Sequence, residues 1–225
     1  MNTGTAILEI RAGVGGDEAK IWANDLLRMY LRFAEKQSWK NLILSPGVIK
    51  IVGPNTYDSL KFESGVHRVQ RIPSTERYGR IHTSTATVVV LPEITENEIK
   101  INLNELQVDF YHASSHGGQN VQKVSTAVRI THRPTGIIVS SERERFQQQN
   151  RELCLQLLRT KLWEKQELEK ETQIAGYRSA VGRGMRAEKI RTYNYPQSRI
   201  TDHRLKKSFH NLEEIIDGKL DKIIH

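Results

Sequence analysis

Trp22, Leu26, Met29, Tyr30 and Phe33 recur every three or four residues, which predicts a helix with one buried stripe. Asp17 and Glu18 stand at its start, where the backbone dipole favours acids. Ahead of it, residues 5–10 alternate as a short strand. Residues 42–44 and 48–52 predict two strands around a Pro46-Gly47 turn, and residues 60–63, beyond Gly53-Pro54-Asn55, predict a third, giving an antiparallel meander. Residues 85–91 read as a buried strand ended by Pro92, and residues 96–103 as an edge strand. Leu106, Val108 and Phe110 alternate as a strand. Residues 126–131 and 137–140 predict a hairpin around Pro134-Thr135-Gly136. A long helix follows over residues 147–172, with Leu153, Leu157, Leu158 and Leu162 on one face and a charged, solvated second half from Trp163. The chain closes on a pattern that predicts an amphipathic helix through Leu205, Phe209, Leu212, Ile215, Ile216, Leu220 and Ile223. That stripe needs a core, which the N-terminal sheet would supply.

Composition narrows the classes. The 225 residues support one large or two small domains, and the net charge of +8 favours a polyanionic partner, nucleic acid before membrane. A single cysteine, Cys154, excludes an internal disulfide framework. No apolar run approaches the ~18 residues of a membrane span, and residues 1–5 lack a secretory pattern. These features predict a soluble protein of the cytoplasm or an organelle matrix, with no membrane partner.

Candidate chemistry is sparse in the usual places. His112 and His116 are four apart, but in a Gly/Ser loop without a third ligand, so no metal site is expected. No carboxylate pair stands out as an acid–base couple, and no cofactor is expected. Residues 11–18, Arg-Ala-Gly-Val-Gly-Gly-Asp-Glu, follow a strand as a dinucleotide-binding turn would. The third glycine of that fingerprint would fall at Glu18, whose charge would repel a pyrophosphate. What remains is a tight turn with a capped helix, or a rigid helix tip that presents backbone groups and Glu18 to a ligand.

Three stretches point to RNA. Arg68, Arg71, Arg77 and Arg80 alternate with apolar residues, hydroxyls and two histidines, His67 and His82, around Pro73. Arginines for phosphates, with hydroxyls and a histidine for base edges, suit single-stranded RNA. Residues 177–207 add a second run of basic side chains broken by Tyr193, Tyr195 and Pro196, with a linker at Gly182 and Gly184. The third, residues 113–123, is an exposed loop carrying Gly117-Gly118-Gln119. It holds no activated nucleophile; any chemistry there would come from positioning and from amide donors aimed at developing charge.

Taken together, these stretches resemble a bacterial class-1 peptide chain release factor of type 1. The resemblance is carried by residues 11–18, 65–75 (Gly-Val-His-Arg-Val-Gln-Arg-Ile-Pro-Ser-Thr), 79–84 (Gly-Arg-Ile-His-Thr-Ser), 117–119, 131–136 (Thr-His-Arg-Pro-Thr-Gly) and 188–204. It implies an α+β protein: residues 1–101 and 189–225 as a codon-recognition superdomain with a mixed sheet, and residues 102–188 as an inserted α+β domain carrying the Gly-Gly-Gln loop. It further implies that Gly15 and Glu18 face the first base of a stop codon. Pro73, Ser74 and Thr75 match the family's Pro-x-Thr motif, implying UAA and UAG. Thr75 would bond the second base, His82 would stack on it, and Gln70 and Thr83 would meet the third. Gly117, Gly118 and Gln119 would promote hydrolysis of the peptidyl-tRNA ester, only in company with the ribosome. The partners implied are the ribosome's decoding and peptidyl-transferase centres, the mRNA stop codon, the P-site peptidyl-tRNA and a glutamine methyltransferase acting on Gln119.

The chain departs from the family pattern in three ways. A helical domain that precedes residue 5 in family members is expected to be missing, the connector at residues 44–48 is short, and Ser115 and His116 replace the usual small residues. Other readings stay open from sequence: a ribosome-binding competitor that does not hydrolyse, a codon-independent rescue factor, and a general RNA-binding protein.

Overall fold

The stripe of the first helix is buried along its whole length: Trp22, Leu26, Met29 and Tyr30 are fully enclosed. They pack on a mixed sheet in a computed structural model that describes residues 2–73, 76–93, 101–112 and 125–224. In chain order the first elements are β1 (Asn2–Ala12), α1 (Asp17–Lys36), β2 (Lys40–Ser45), β3 (Val48–Val52), α2 (Thr56–Leu60), β4 (Gly65–Arg71) and β5 (His82–Glu93). Next come β6 (Leu106–Tyr111), β7 (Ala127–His132), β8 (Ile137–Ser141) and the long helix α3 (Gln147–Ala180). The chain ends with β9 (Lys189–Asn194), β10 (Arg199–Asp202), β11 (Lys207–His210) and α4 (Leu212–Ile216).

Two units result: residues 1–95 with 173–225, and residues 96–172. The boundary falls inside α3. The family resemblance implies an inserted part over residues 102–188; in the structure residues 173–188 pack with the larger unit.

The larger unit is an eight-stranded sheet in the order β11-β10-β9-β4-β5-β1-β3-β2. Every neighbouring pair is antiparallel except β4 and β9, which run parallel. That one parallel pair joins segments more than a hundred residues apart in sequence. Leu8, Ile49, Ile51, Val69, Val88, Tyr193 and Ile200 point into the core under α1, and Leu212, Ile215, Leu220 and Ile223 complete it. The last turns of α3 bring Val181, Ile174 and Tyr177 onto Ile7, Val89 and Leu91. There Arg178 grips Glu9 through Nη2 at 2.6 Å and Nε at 3.0 Å. This bond holds the Glu9 carboxyl below the usual range.

A buried ionic network crosses this core. Arg191, on β9, donates through Nε to Asp202 Oδ2 at 2.9 Å, through Nη1 to Glu63, and through Nη2 to the carbonyl of Ile223 at 3.2 Å. Tyr30 adds a bond to Glu63 Oε2 at 3.1 Å. Burial raises the Asp202 carboxyl, yet bonds from Arg204 and Arg191 hold it far below its ordinary range. Buried charge is tolerated when paired and fully bonded, and this network meets that condition.

The smaller unit is a three-stranded antiparallel sheet, β6-β7-β8, covered by the first half of α3. Val128, Ile130, Val139, Cys154 and Leu158 form its core. Exposed Trp163 and Leu168 mark the solvated half of the helix.

Four sequence expectations change. Residues 60–63 are not a strand: α2 runs on into a 3-10 turn (Lys61–Glu63), which turns the Glu63 side chain inward toward Arg191. Pro92 does not end its strand, because it pairs with Ala6 where β1 is irregular and its missing N–H is tolerated. In the expected edge strand, residues 96–100 lie outside the described residues, and Leu103–Glu105 is a 3-10 turn. The closing stripe is a short strand, β11, and a single helical turn, α4. Asn211 with positive φ separates them, and Gly218 passes α1 so closely that a Cβ would lie 2.7 Å from Phe33 N.

Candidate nucleic-acid interface

Strand register gathers several of the predicted residues at one end of the large sheet. Gln70 stands opposite Thr83 in the β4–β5 pair, and Arg71 opposite His82. The loop before α1 is stitched to the same strand: Gly13 N donates to Thr85 O at 2.8 Å, Thr85 N to Val14 O at 2.9 Å, and Val14 N to Thr85 Oγ1 at 2.8 Å. Gly15, at φ +145°, then lies on Ser84, where a Cβ would fall 2.3 Å from Ser84 Oγ. Only glycine permits both that conformation and that approach. The helix tip therefore sits beside Thr83. Pro73 is buried, and its carbonyl accepts from Glu76 N at 3.0 Å. Ser74 and Thr75 lie outside the described residues, as do Gly117, Gly118 and Gln119.

His82 is held on the exposed side by Glu76, Nε2 to Oε2 at 2.5 Å. The Tyr78 amide, then His82 and Arg80, keep the Glu76 carboxyl below its usual range.

Glu18 differs from the expectation that it presents its side chain. Its carboxylate is 4% exposed and turned inward, with Oε1 2.6 Å from Arg71 Nε. Arg71 also bonds Asp25 Oδ2 at 2.7 Å and lies over the Tyr195 ring at 5.2 Å. Burial works against the Arg71 charge, but Asp25 and Glu18 outweigh it and raise its pKa. Glu18 thus braces the site, and the groups left at the helix tip for a ligand are backbone N–H donors of the first turn. Glu18 Oε2 is buried without a hydrogen-bond partner among the described residues.

The neighbouring sheet face is basic. Arg68 Nε donates to Thr192 Oγ1 at 3.1 Å, and His203 Nε2 meets the same hydroxyl at 2.7 Å. Burial and then the nearby Arg186 lower the Arg68 pKa, while burial, Lys189 and Arg68 lower that of His203. Cations crowded enough to repel one another would be relieved by a phosphate. Sequence reading missed Asn194, which β9 sets beside Gln70; nothing local announces a contact across 124 residues.

In the smaller unit, Gly117-Gly118-Gln119 fall in the sequence between β6 and β7, whose ends meet in the Tyr111–Ala127 pair. Asn150 Oδ1 accepts from Ser141 Oγ and Glu144 N, both at 3.0 Å, and its Nδ2 donates to the carbonyls of Thr126 and Glu144, both at 2.9 Å. Gln147 Nε2 adds a bond to Ser125 O at 2.9 Å. Among the described residues no cluster of three metal-ligating side chains occurs, and no helix is long and apolar enough to cross a membrane.

Comparison with known proteins bears on this geometry. Residues 1–88 match the PCRF domain and residues 94–204 the RF-1 domain. The chain is 51% identical to peptide chain release factor 1 of Thermoanaerobacter pseudethanolicus over 97% of its length and 64% of that protein's. Against peptide chain release factor 1 of Thermotoga maritima it is 52% identical, covering 97% and 67%. It thus spans about two thirds of the length of these relatives. Among solved structures it is similar to RF2 of Thermus thermophilus, with a TM-score of 0.57, 38% identity, and coverage of 98% of this chain and 66% of that one. With two matched domains in tandem and half its residues shared with such relatives, the chain belongs to the peptide chain release factor family.

Proposed function

We propose that the protein is a translation termination factor that reads UAA and UAG in the ribosomal decoding centre and triggers hydrolysis of the peptidyl-tRNA ester. The observation that carries this reading is the meeting of Gly15, Gln70, His82 and Thr83 at one end of the sheet, beside a cationic face. In this reading the backbone at the tip of α1 meets the first base. Thr75 bonds the second base, His82 stacks on it, and Gln70 and Thr83 take either purine at the third. Pro73 and Ser74 hold Thr75 in place.

Hydrolysis falls to the Gly117-Gly118-Gln119 loop. Water attacks the ester carbonyl, and the backbone N–H of Gln119 donates to the oxyanion that develops. The loss of one such donor costs roughly 10²–10³ in rate. The two glycines let the backbone approach the ester closely. The Gln119 amide, a substrate for a glutamine methyltransferase, shapes the space for water. The ribosome, the stop codon and the P-site peptidyl-tRNA are the partners, and the setting is the bacterial cytoplasm.

The test is peptide release from ribosomal complexes programmed with UAA, UAG, UGA or a sense codon. Release on UAA and UAG alone is the expected result. Binding without release would make the protein a competitor, and release on every codon would make it a rescue factor.

A further inference from the structure

A reader of UAA and UAG must accept A and G at one position while rejecting pyrimidines. A freely rotating glutamine is poorly suited to that task. On their major-groove edges both purines offer the N7 acceptor, but adenine carries a donor at N6 where guanine carries an acceptor at O6. A free amide would pair with adenine twice, donating to N7 and accepting from N6, and with guanine only through its donor. It would favour UAA.

The structure contains a device that takes this choice away. Asn194 lies beside Gln70 in the parallel β4–β9 register, and the next residue's N–H, on Tyr195, donates to Gln70 O at 3.0 Å. Asn194 Nδ2 donates to Gln70 Oε1 and to Gln197 Oε1, each at 3.4 Å. The polarity of this chain is fixed at two points by groups that can only donate. The backbone N–H of Gln197 donates to Asn194 Oδ1 at 3.1 Å, so the asparagine cannot be turned over. The Arg199 guanidinium donates to Gln197 Oε1 at 2.7 Å, so that oxygen must also face inward. Asn194 therefore offers Gln70 a donor, and Gln70 answers with its oxygen. Its Nε2 donors are what remain for a ligand.

We propose that Asn194 is a specificity-positioning residue, which engages Gln70 Oε1 so that Gln70 meets the third codon base through Nε2 alone. That donor fits N7 of adenine and guanine equally. The inference rests on the reading above, that Gln70 faces the third base.

The experiment is codon-dependent peptide release on UAA and UAG by the wild-type chain and two variants. Asn194→Leu frees Gln70 Oε1 to accept from adenine N6, and the UAA-to-UAG rate ratio rises about three- to tenfold, the worth of one hydrogen bond. Asn194→Asp is nearly isosteric and keeps the bond from Gln197 N–H. Its second oxygen draws Gln70 Nε2 inward and leaves Oε1 facing the base, matched to adenine and opposed to guanine O6. Here the ratio rises about tenfold or more. A purely structural role would lower both rates together and leave the ratio alone. That result, or a shift toward UAG, overturns the inference while codon-specific release by the wild type keeps the reading of the site. Release by the wild type on every codon, or on none, overturns both.

Discussion

The two units place their buried polar groups in opposite ways. The larger one is braced by ionic networks: Glu63, Arg191 and Asp202 buried in its core, and Glu18, Arg71 and Asp25 between α1 and the end of β4. The smaller one has a thin apolar core and uses the fully buried Asn150 to tie Thr126, beside the segment that bears Gly-Gly-Gln, to Ser141 and Glu144. In the proposed function, a surface that tells one base from another needs every group at a set angle. In that same function, a segment that delivers one backbone donor to an ester needs chiefly well-anchored flanks. The comparison predicts that damage to the first unit disturbs selection, and damage to the second disturbs rate.

The largest effect is expected at Arg191. Arg191→Met leaves Glu63 and Asp202 buried without their shared cation and should destabilise the larger unit by about 3–5 kcal/mol. Hydrogen exchange should show the loss in β4, β9 and β10, with β6–β8 unchanged; uniform loosening of both units would break the comparison.

Next is the loop. Gln119→Pro deletes the N–H and should lower the release rate roughly 10²–10³-fold, while Gln119→Ala keeps a measurable rate. Equal loss in the two variants would remove the backbone donor from the account, and a change in stop-codon preference would contradict the division of labour.

A pH dependence follows from His67. It is fully buried, donating through Nε2 to the Glu63 carbonyl at 3.0 Å and accepting at Nδ1 from Tyr193 OH at 3.1 Å. Burial first, and the Arg191 charge, lower its pKa from 6.5 to about 4. A lowered histidine pKa means the unfolded chain binds the proton more readily between those two values. Stability is then fully present above pH 6.5 and falls as pH drops toward 4, by on the order of 3 kcal/mol from this residue. Denaturant midpoints from pH 7.5 to 4.5 should show a decline that His67→Gln flattens, in the larger unit only.

Asn150→Ala should cost the smaller unit about 2–3 kcal/mol, since it removes four hydrogen bonds, one of them from the buried Ser141 hydroxyl. Proteolysis near Ser125 and Thr126 should accelerate while the larger unit stays intact. At the bottom of the scale, Glu214→Gln removes an exposed pair with Lys219 and should change stability by less than about 0.5 kcal/mol.

How legible these arrangements are depends on distance along the chain. The stripe of α1 and the β7–β8 hairpin follow from local spacing, and the structure contains both. The closing stripe misleads because the same apolar residues can be buried by a strand, a turn and a bend; the positive φ at Asn211 decides, and spacing does not encode it. Residues 60–63 alternate like a strand, yet the ionic partner of Glu63 sits 128 residues later. Glu18 reads as a displayed acid because acids suit helix starts; its inward turn depends on Arg71 from another strand. Gly15, Gln70, His82 and Thr83 are picked out by the family resemblance, whereas Asn194 matters only once β9 lies against β4.

That parallel pairing also governs when the molecule can exist. Glu63 lacks its cation, and one edge of β4 its neighbour, until β9 arrives, and β9 is synthesised only after the whole of the smaller unit. On a translating ribosome the smaller unit, local in its pairing, can close first. The larger one waits as an open sheet with an uncompensated carboxylate. The surface proposed to read codons therefore forms only after the smaller unit has been synthesised, so the proposed reader and the unit that would carry out release are completed in the reverse of the order in which they would act.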